Sequence, residues 1–197
     1  DLSTDIYRYA WEGRLMLDGH NPFSAPPDDS AFVALRDADY AHISHQRLPT
    51  IYPPLAQAAF YLAAAVKPGP TALKVIFSLF NLGTAWVLFR LLRRRGIPES
   101  RALLFAWNPL VIVETGLSGH VDSMAAFFLV LGIDLWESKR RAWAGLVLGA
   151  SVLVKYLAVA AVPWLARRRH IAAIVLMALV VVAGYVPFLG AGAKLFS

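Results

Sequence analysis

The 197-residue chain has no cysteine. That excludes a disulfide framework and any thiolate metal site, and says little about compartment. Charge is scarce too: Asp, Glu, Lys and Arg make up 16% of residues, against about a quarter in soluble domains. No phosphate-cradling glycine loop of the Walker or dinucleotide type is present, and no HExxH, Ser-His-Asp order or paired-cysteine motif stands out. Cytosolic nucleotide-driven chemistry is thereby disfavoured. There is no initiator Met and no N-terminal signal pattern. The chain opens in a polar loop, so we expect an upstream segment and a longer parent chain.

What is there is apolar. Hydrophobic residues reach 58% and mean hydropathy is +0.54, which points to a polytopic membrane protein. Six Trp, seven Tyr and eleven Phe suit interfacial belts and could also stack on sugars. The net charge of +6 sits in clusters at the ends of apolar runs. Such clusters are topology signals rather than nucleic-acid patches.

The polar exception is residues 1–50, and above all DIYRYAWEGRLMLDGHNPF (Asp5 to Phe23). A short amphipathic helix is expected over 1–19, capped by Ser3 or Thr4 and ended by Gly19. Helical spacing puts Asp5, Arg8 and Glu12 on one face, with Tyr7 and Trp11 on a neighbouring face and Arg14 beyond. Residues 30–47 are expected to hold a second short surface helix. The region 51–197 reads as membrane: 51–66 (short of the ~20 residues a span needs), 71–92, 102–118 broken by Asn108-Pro109, 121–138, 142–166 bent near Lys155-Tyr156, and 171–189. Gly145 and Gly149 form a small-residue pair suited to ordinary helix packing.

Topology follows by parity if the clusters Arg93–Arg95, Lys139–Arg141 and Arg167–Arg169 are all cytoplasmic. Then 71–92 runs inward, 102–118 outward and 121–138 inward. Residues 142–166 turn outward and back, and 51–66 is re-entrant. Asp5, Asp122 and Lys155 all face the extracytoplasmic side.

Several residues there invite chemistry, each beside a plainer role. Asp5 is either a first-turn carboxylate favoured by the helix dipole or a general base for an acceptor hydroxyl. Arg8 could steer a phosphate, and Tyr7, Tyr9 and Trp11 could form a sugar platform or an interfacial belt. Asp122 suits an N-cap. With His120 it could also ligate a divalent cation, which two ligands permit but do not require. His42-x-x-His45 reads as a solvated face. Lys155 is an intramembrane cation that either snorkels or meets a lipid-linked phosphate. Glu114 could neutralise a nearby cation. With no nucleotide site, energy for synthesis outside the cytosol has to arrive in the substrate, and a lipid-phosphate-linked sugar is one such donor.

The motifs TDIYRYAWEGRLMLDGHNPF, RLPTIYPPLAQ, WNPLVIVETGLSGHVDS and VKY at Lys155 resemble the GT-C superfamily of membrane glycosyltransferases. The chain looks closest to bacterial polyprenyl-phosphate-mannose-dependent mannosyltransferases of the alpha-1,6 type, and more distantly to the mannosyltransferase of GPI-anchor assembly. The resemblance implies an inverting transfer with Asp5 as base. Many relatives carry two adjacent acids where this chain has Thr4-Asp5. It also implies phosphate-binding cations at Lys155 and at Arg8 or Arg14, and a membrane helix ahead of the loop.

The expectation is therefore an all-α polytopic transmembrane bundle of GT-C type in the cell membrane, with an extracytoplasmic active-site loop over 1–50. It moves mannose from a polyprenyl-phosphate donor to a glycan or glycolipid hydroxyl. Substrate contacts are expected from Arg8, Trp11, Glu12, Arg14, Tyr52, His120, Asp122 and Lys155. No firm cofactor and no nucleic acid are expected. The alternatives are a non-enzymatic transporter of lipid-linked sugars, which would need the cations but no base, and a membrane scaffold needing neither.

Overall fold

The computed structural model describes residues 3–196, which form helices and turns with no strand among them. Helix α1 (Asp5–Leu17) has Thr4 at its N-cap position without a side-chain cap, while the Asp5 N–H donates to Ser3 Oγ at 3.2 Å. It ends where Gly19 turns left-handed (φ +80) and the His20 N–H reaches back to the Leu15 carbonyl. Residues 30–47 form two 3-10 turns, Ser30–Leu35 and Ala38–His42, rather than one helix. Asp29 and Asp37 each cap one by accepting a backbone N–H two residues on.

Helix α2 (Pro54–Val66) begins with proline in its first turn, where the missing N–H costs nothing. Three residues later α3 (Pro70–Arg94) starts, and its 25 residues are about 37 Å long at 1.5 Å each. Residues 102–118 break into α4 (Leu103–Ala106), α5 (Pro109–Ile112) and a π turn, Val113–Leu117. The break falls at Asn108-Pro109, with the Asn108 side chain capping Leu110. Helix α6 (Asp122–Glu137) is followed by α7 (Arg141–Val152), a 3-10 segment (Tyr156–Ala161), α8 (Val162–Arg167) and α9 (Ile171–Tyr185), which runs on as 3-10 turns over Val186–Phe196.

Two stretches, Pro70–Arg94 and Ile171–Leu195, are long and apolar enough to cross a membrane. Both leave an apolar stripe uncovered: Val75, Leu79, Leu82 and Trp86 on α3, and Val175, Leu179, Val182 and Val186 along α9. Such stripes are costly in water and ordinary against lipid tails.

Contacts fix the helix directions. The start of α3 (Lys74) and Gly119, just ahead of α6, lie together against Ile6. Near the other ends, Arg90 and Arg94 of α3 pair with the buried Asp134 of α6 at 3.2 and 2.6 Å. Helices α3 and α6 are therefore parallel. Helix α7 returns antiparallel to α6, since Ser151 Oγ donates to the Ala125 carbonyl at one end and Gly132 meets Leu148 at the other. Helix α9 runs parallel to α7: a Cβ on Gly145 or Gly149 would sit 2.6 or 2.8 Å from the Ala173 or Met177 carbonyl oxygen. The glycine pair seats one helix on the next within this chain.

The bundle thus has two ends. One gathers Arg93–Arg95, Lys139–Arg141 and His170. The other gathers α1, the tip at Lys155, and both ends of α2, whose Leu55 and Ala56 N–H groups donate to the Leu153 carbonyl. At that second end the main core forms from Ile6, Tyr9, Phe60, Phe77, Val121 and Val154, joining α1, α2, α3 and α6 to the turn after α7.

Helix α1 lies tight on α2 because residue 13 is glycine: a Cβ there would be 2.3 Å from the Phe60 carbonyl oxygen. Gly13→Ala should lower the unfolding temperature in detergent, at a cost of about 1–3 kcal/mol. Gly190→Ala, whose Cβ would meet nothing within 4 Å, should leave it unchanged. Equal unfolding temperatures for both variants would contradict this packing.

Candidate active site

Asp5 stands in the first turn of α1 with its carboxylate 41% exposed. It borders a cavity of about 260 Å³ lined by Arg8, Ser44, His45, Leu48, Ile51 and Tyr52. Tyr9 lies behind it, stacked on Phe60 at 4.6 Å and edge-on to Tyr52 at 4.9 Å. The Tyr9 hydroxyl donates to that of Tyr52. Burial pushes the Tyr52 phenol up to about 12, the bond from Tyr9 pulls it the other way, and the Asp5 charge raises it further. Burial also drives the Tyr9 phenol far above its ordinary range. Both phenols therefore stay neutral at ordinary pH.

The wall of that cavity hangs on a buried polar network. Glu12, 1% exposed, accepts from Arg8 Nε at 2.5 Å, Thr50 Oγ1 at 2.8 Å and Gln57 Nε2 at 2.6 Å. Arg8 uses its remaining nitrogens on the carbonyls of His45 (3.3 Å) and Leu48 (3.0 Å). One carboxylate thus ties α1 to the return segment 45–50 and to α2. A buried charge is tolerated only when paired and hydrogen-bonded in this way.

On the other side of Asp5 is His120. Its Nε2 lies 3.9 Å from Asp5 Oδ2 and 3.0 Å from Ser3 Oγ. Its Nδ1 is in close contact with the Glu114 carboxylate, and its backbone N–H donates to the Glu114 carbonyl at 2.9 Å. The π turn makes this reach, by packing an extra residue between the two. Gly119 must lie beside Ile6 with φ +67, where a Cβ would come within 2.3 Å of the Ile6 side chain. Asp122, two residues on, receives Lys155 Nζ at 2.5 Å. A second cavity of about 220 Å³ opens here between α3, α5 and α6. Its walls are mostly apolar (Phe105, Leu110, Val111, Ala126), and Glu114, His120 and Asp122 also line it.

The structure therefore brings Asp5, Tyr52, His120, Asp122 and Lys155 to one end of the bundle. Four other predicted contacts are engaged within the fold itself. Arg8 and Glu12 are spent on each other. Trp11 is buried with Leu15, Phe32 and Ile43 beneath the folded loop. Arg14 pairs with Asp37 at 2.6 Å. His42 stacks on Tyr7 at 5.0 Å. The Glu114–His120 contact was not foreseen. Its sequence signal is the six-residue spacing across a glycine-containing stretch, which a regular helix would not bring together. Among the described residues no three His, Asp or Glu side chains group closely enough to hold a metal ion.

Fold and site define an all-helical, largely apolar protein that collects carboxylates, a histidine and a lysine around two adjoining cavities at one end. The chain belongs to the alpha-(1->6)-mannopyranosyltransferase family, whose N-terminal domain it matches over residues 2–172. It is also similar to GPI mannosyltransferase 1 of Gibberella zeae, at 32% identity over 134 residues, covering 65% of this chain and 29% of that protein. The chain thus spans less than a third of that relative's length. No solved structure matches it.

Glu12→Ala leaves the Arg8 guanidinium buried and unpaired, so it should cost about 3–5 kcal/mol of stability. Arg14→Gln, which loses a partly exposed pair, should cost less than about 1 kcal/mol; thermal unfolding of the two variants measures the contrast. Tyr52 labelled for carbon NMR should titrate near 12 rather than 10. Because its folded value is raised, the stability it adds is complete below pH 10 and disappears as pH climbs through 12.

Proposed function

We propose that this chain carries the active site of a polyprenyl-phosphate-sugar-dependent mannosyltransferase, with Asp5 as general base. The observation that carries the reading is the position of Asp5. It is a partly exposed carboxylate that lines the cavity with Arg8 and Tyr52 and lies 3.9 Å from His120, which lines the second cavity, in a chain of this family. The acceptor glycan occupies the cavity walled by Ser44, His45, Leu48 and Tyr52. The donor's isoprenoid chain lies along the apolar cavity between α3, α5 and α6. Its phosphate meets Lys155, whose ammonium exchanges Asp122 for the incoming anion.

The step balances within these groups. An acceptor hydroxyl gives its proton to Asp5 as its oxygen attacks the anomeric carbon from the face opposite the phosphate. The bond from that carbon to the phosphate oxygen breaks, its electron pair leaves with the phosphate, and the configuration inverts. Lys155 stabilises charge where it develops. Tyr52 donates a hydrogen bond to the acceptor, and His120, held by Glu114, fixes the Asp5 carboxylate. Arg8 and Glu12 support the acceptor wall rather than touch phosphate, so the phosphate role rests on Lys155.

The same reading supplies an orientation. The end rich in unpaired arginines faces the cytoplasm, and the end holding Asp5, His120, Asp122 and Lys155 faces outward. Helix α2, with both ends at the outer level, lies along the surface. The bundle over 51–197 is then a polytopic membrane region and residues 1–50 its extracytoplasmic loop.

Transfer from polyprenyl-phosphate-mannose to a short mannoside, assayed with the protein in liposomes, tests the base. Asp5→Asn should lose a factor of about 10²–10⁴ in transfer while still binding donor. Lys155→Gln should lower kcat and kcat/KM for the donor together, as expected of a cation that acts where charge develops. Transfer unchanged in Asp5→Asn would overturn the assignment. Donor movement across the bilayer without transfer in any form would favour the transporter reading instead.

A further inference from the structure

At the end of the bundle opposite Asp5 lies an apolar cavity of about 320 Å³ that the proposed transfer reaction does not use. It is a groove between α6, α7 and α8, bounded mainly by Leu129, Ile133, Leu148, Trp136 and Trp164, with one carboxylate in its lining, Glu137, which Arg95 neutralises. Leu129 to Trp136 is seven residues of one helix, or about 10 Å, so the groove is elongated and suits a hydrocarbon chain better than a compact solute. One end is deep among aliphatic side chains. The other closes on an aromatic cluster: Trp136 and Trp164 meet edge to face at 5.1 Å, and the His170 ring lies 4.7 Å from Trp136.

That aromatic end is strongly basic. The Arg141 guanidinium lies 5.5 Å from the Trp136 ring centre and its Nη1 is 3.4 Å from His170 Nδ1. Elsewhere at this end arginines are matched with acids: Arg90 and Arg94 with Asp134, and Arg95 with Glu137. Among the described residues Lys139, Arg140, Arg141, Arg167, Arg168 and Arg169 have no carboxylate partner, and all six are exposed. An apolar slot that ends in tryptophan rings and unneutralised guanidinium groups has the charge and polarity profile of an anionic phospholipid turned end for end.

We infer that the groove between α6, α7 and α8 binds one anionic phospholipid, its acyl chain along Leu129, Leu148 and Leu165 and its head-group phosphate at Arg141 beside Trp136 and Trp164. This site is separate from the donor's: Lys155 and Asp122 lie at the far ends of α7 and α6. The inference rests on the membrane reading above but not on the transferase reading.

The full-length protein in nanodiscs tests it without any sugar donor. The probes are brominated phosphatidylglycerol and brominated phosphatidylcholine at equal mole fraction, and the signal is the tryptophan quenching that Trp164→Phe removes. Brominated phosphatidylglycerol should quench that share more strongly, with an apparent affinity about fivefold higher per engaged arginine. Arg141→Gln, at an exposed position, should bring it down toward the phosphatidylcholine level. Ala161→Leu, which fills the groove, should reduce quenching by both lipids. Equal quenching by the two lipids in the unmodified protein would overturn the inference. So would no quenching by either. Both leaflets of a nanodisc carry the probe, so the result does not depend on orientation, and loss of mannosyl transfer in a separate assay would not alter it.

Discussion

A buried carboxylate on α1 holds the functional end together. Glu12 takes hydrogen bonds from α1, from the segment returning out of the loop and from α2, and its desolvation is offset only while all three stay in place. Asp5 is two turns earlier on the same rigid helix, so its place over the cavity is set by a contact it does not share. The arrangement resembles a hinge pin: much of residues 18–53 is turns and irregular chain, yet Asp5 is carried by the helix that is fastened.

The two ends of the bundle use charge in opposite ways. Around Asp134, whose carboxylate is fully buried, Arg90 and Arg94 are neutralised and clamp α3 onto α6. Around Asp5 the acids are left partly exposed, with His120 and Lys155 near enough to balance them. Ion pairs at half-exposed positions contribute little to stability, and this is what leaves them free to rearrange around a ligand. The buried clamp has no such freedom, since removing one partner strands the other.

Some of this was legible in the sequence. The helix expected over 1–19 forms over Asp5–Leu17, and its stop follows from the left-handed preference of Gly19, although Thr4 at the N-cap position makes no side-chain cap. The bend in 142–166 follows from a lysine placed midway along an apolar run. Asp5, His120, Asp122 and Lys155 are conspicuous because each is a polar residue in an apolar setting, and that contrast is readable without a fold. What could not be read was how the loop folds back. Arg8 and the carbonyls it holds are 37 and 40 residues apart in sequence, and Glu12 and Gln57 are 45 apart. Helical spacing correctly put Arg8 and Glu12 on one face but gave no sign that the face would be buried, so an arginine expected to meet phosphate instead anchors a wall. Trp11 was misleading in the same way, since a tryptophan beside a polar loop can serve as a binding platform or as that loop's own core. The π turn that joins Glu114 to His120 departs from regular helical spacing, and period-based reading has no template for it.

The lengths of the helices have a consequence for the surrounding membrane. Helix α6 runs from Asp122 to Glu137 in 16 residues, about 24 Å, and α7 is shorter still. A typical hydrocarbon layer is about 30 Å thick. On the orientation proposed, with charged groups at both ends of these short helices and the longer α3 beside them, a bilayer would meet a hydrophobic mismatch confined to one side of the protein. Its cheapest response is to thin there. On the orientation proposed, lipid head groups would then dip toward Asp122 and Lys155, and a phosphate carried on a lipid would reach them without leaving its own leaflet.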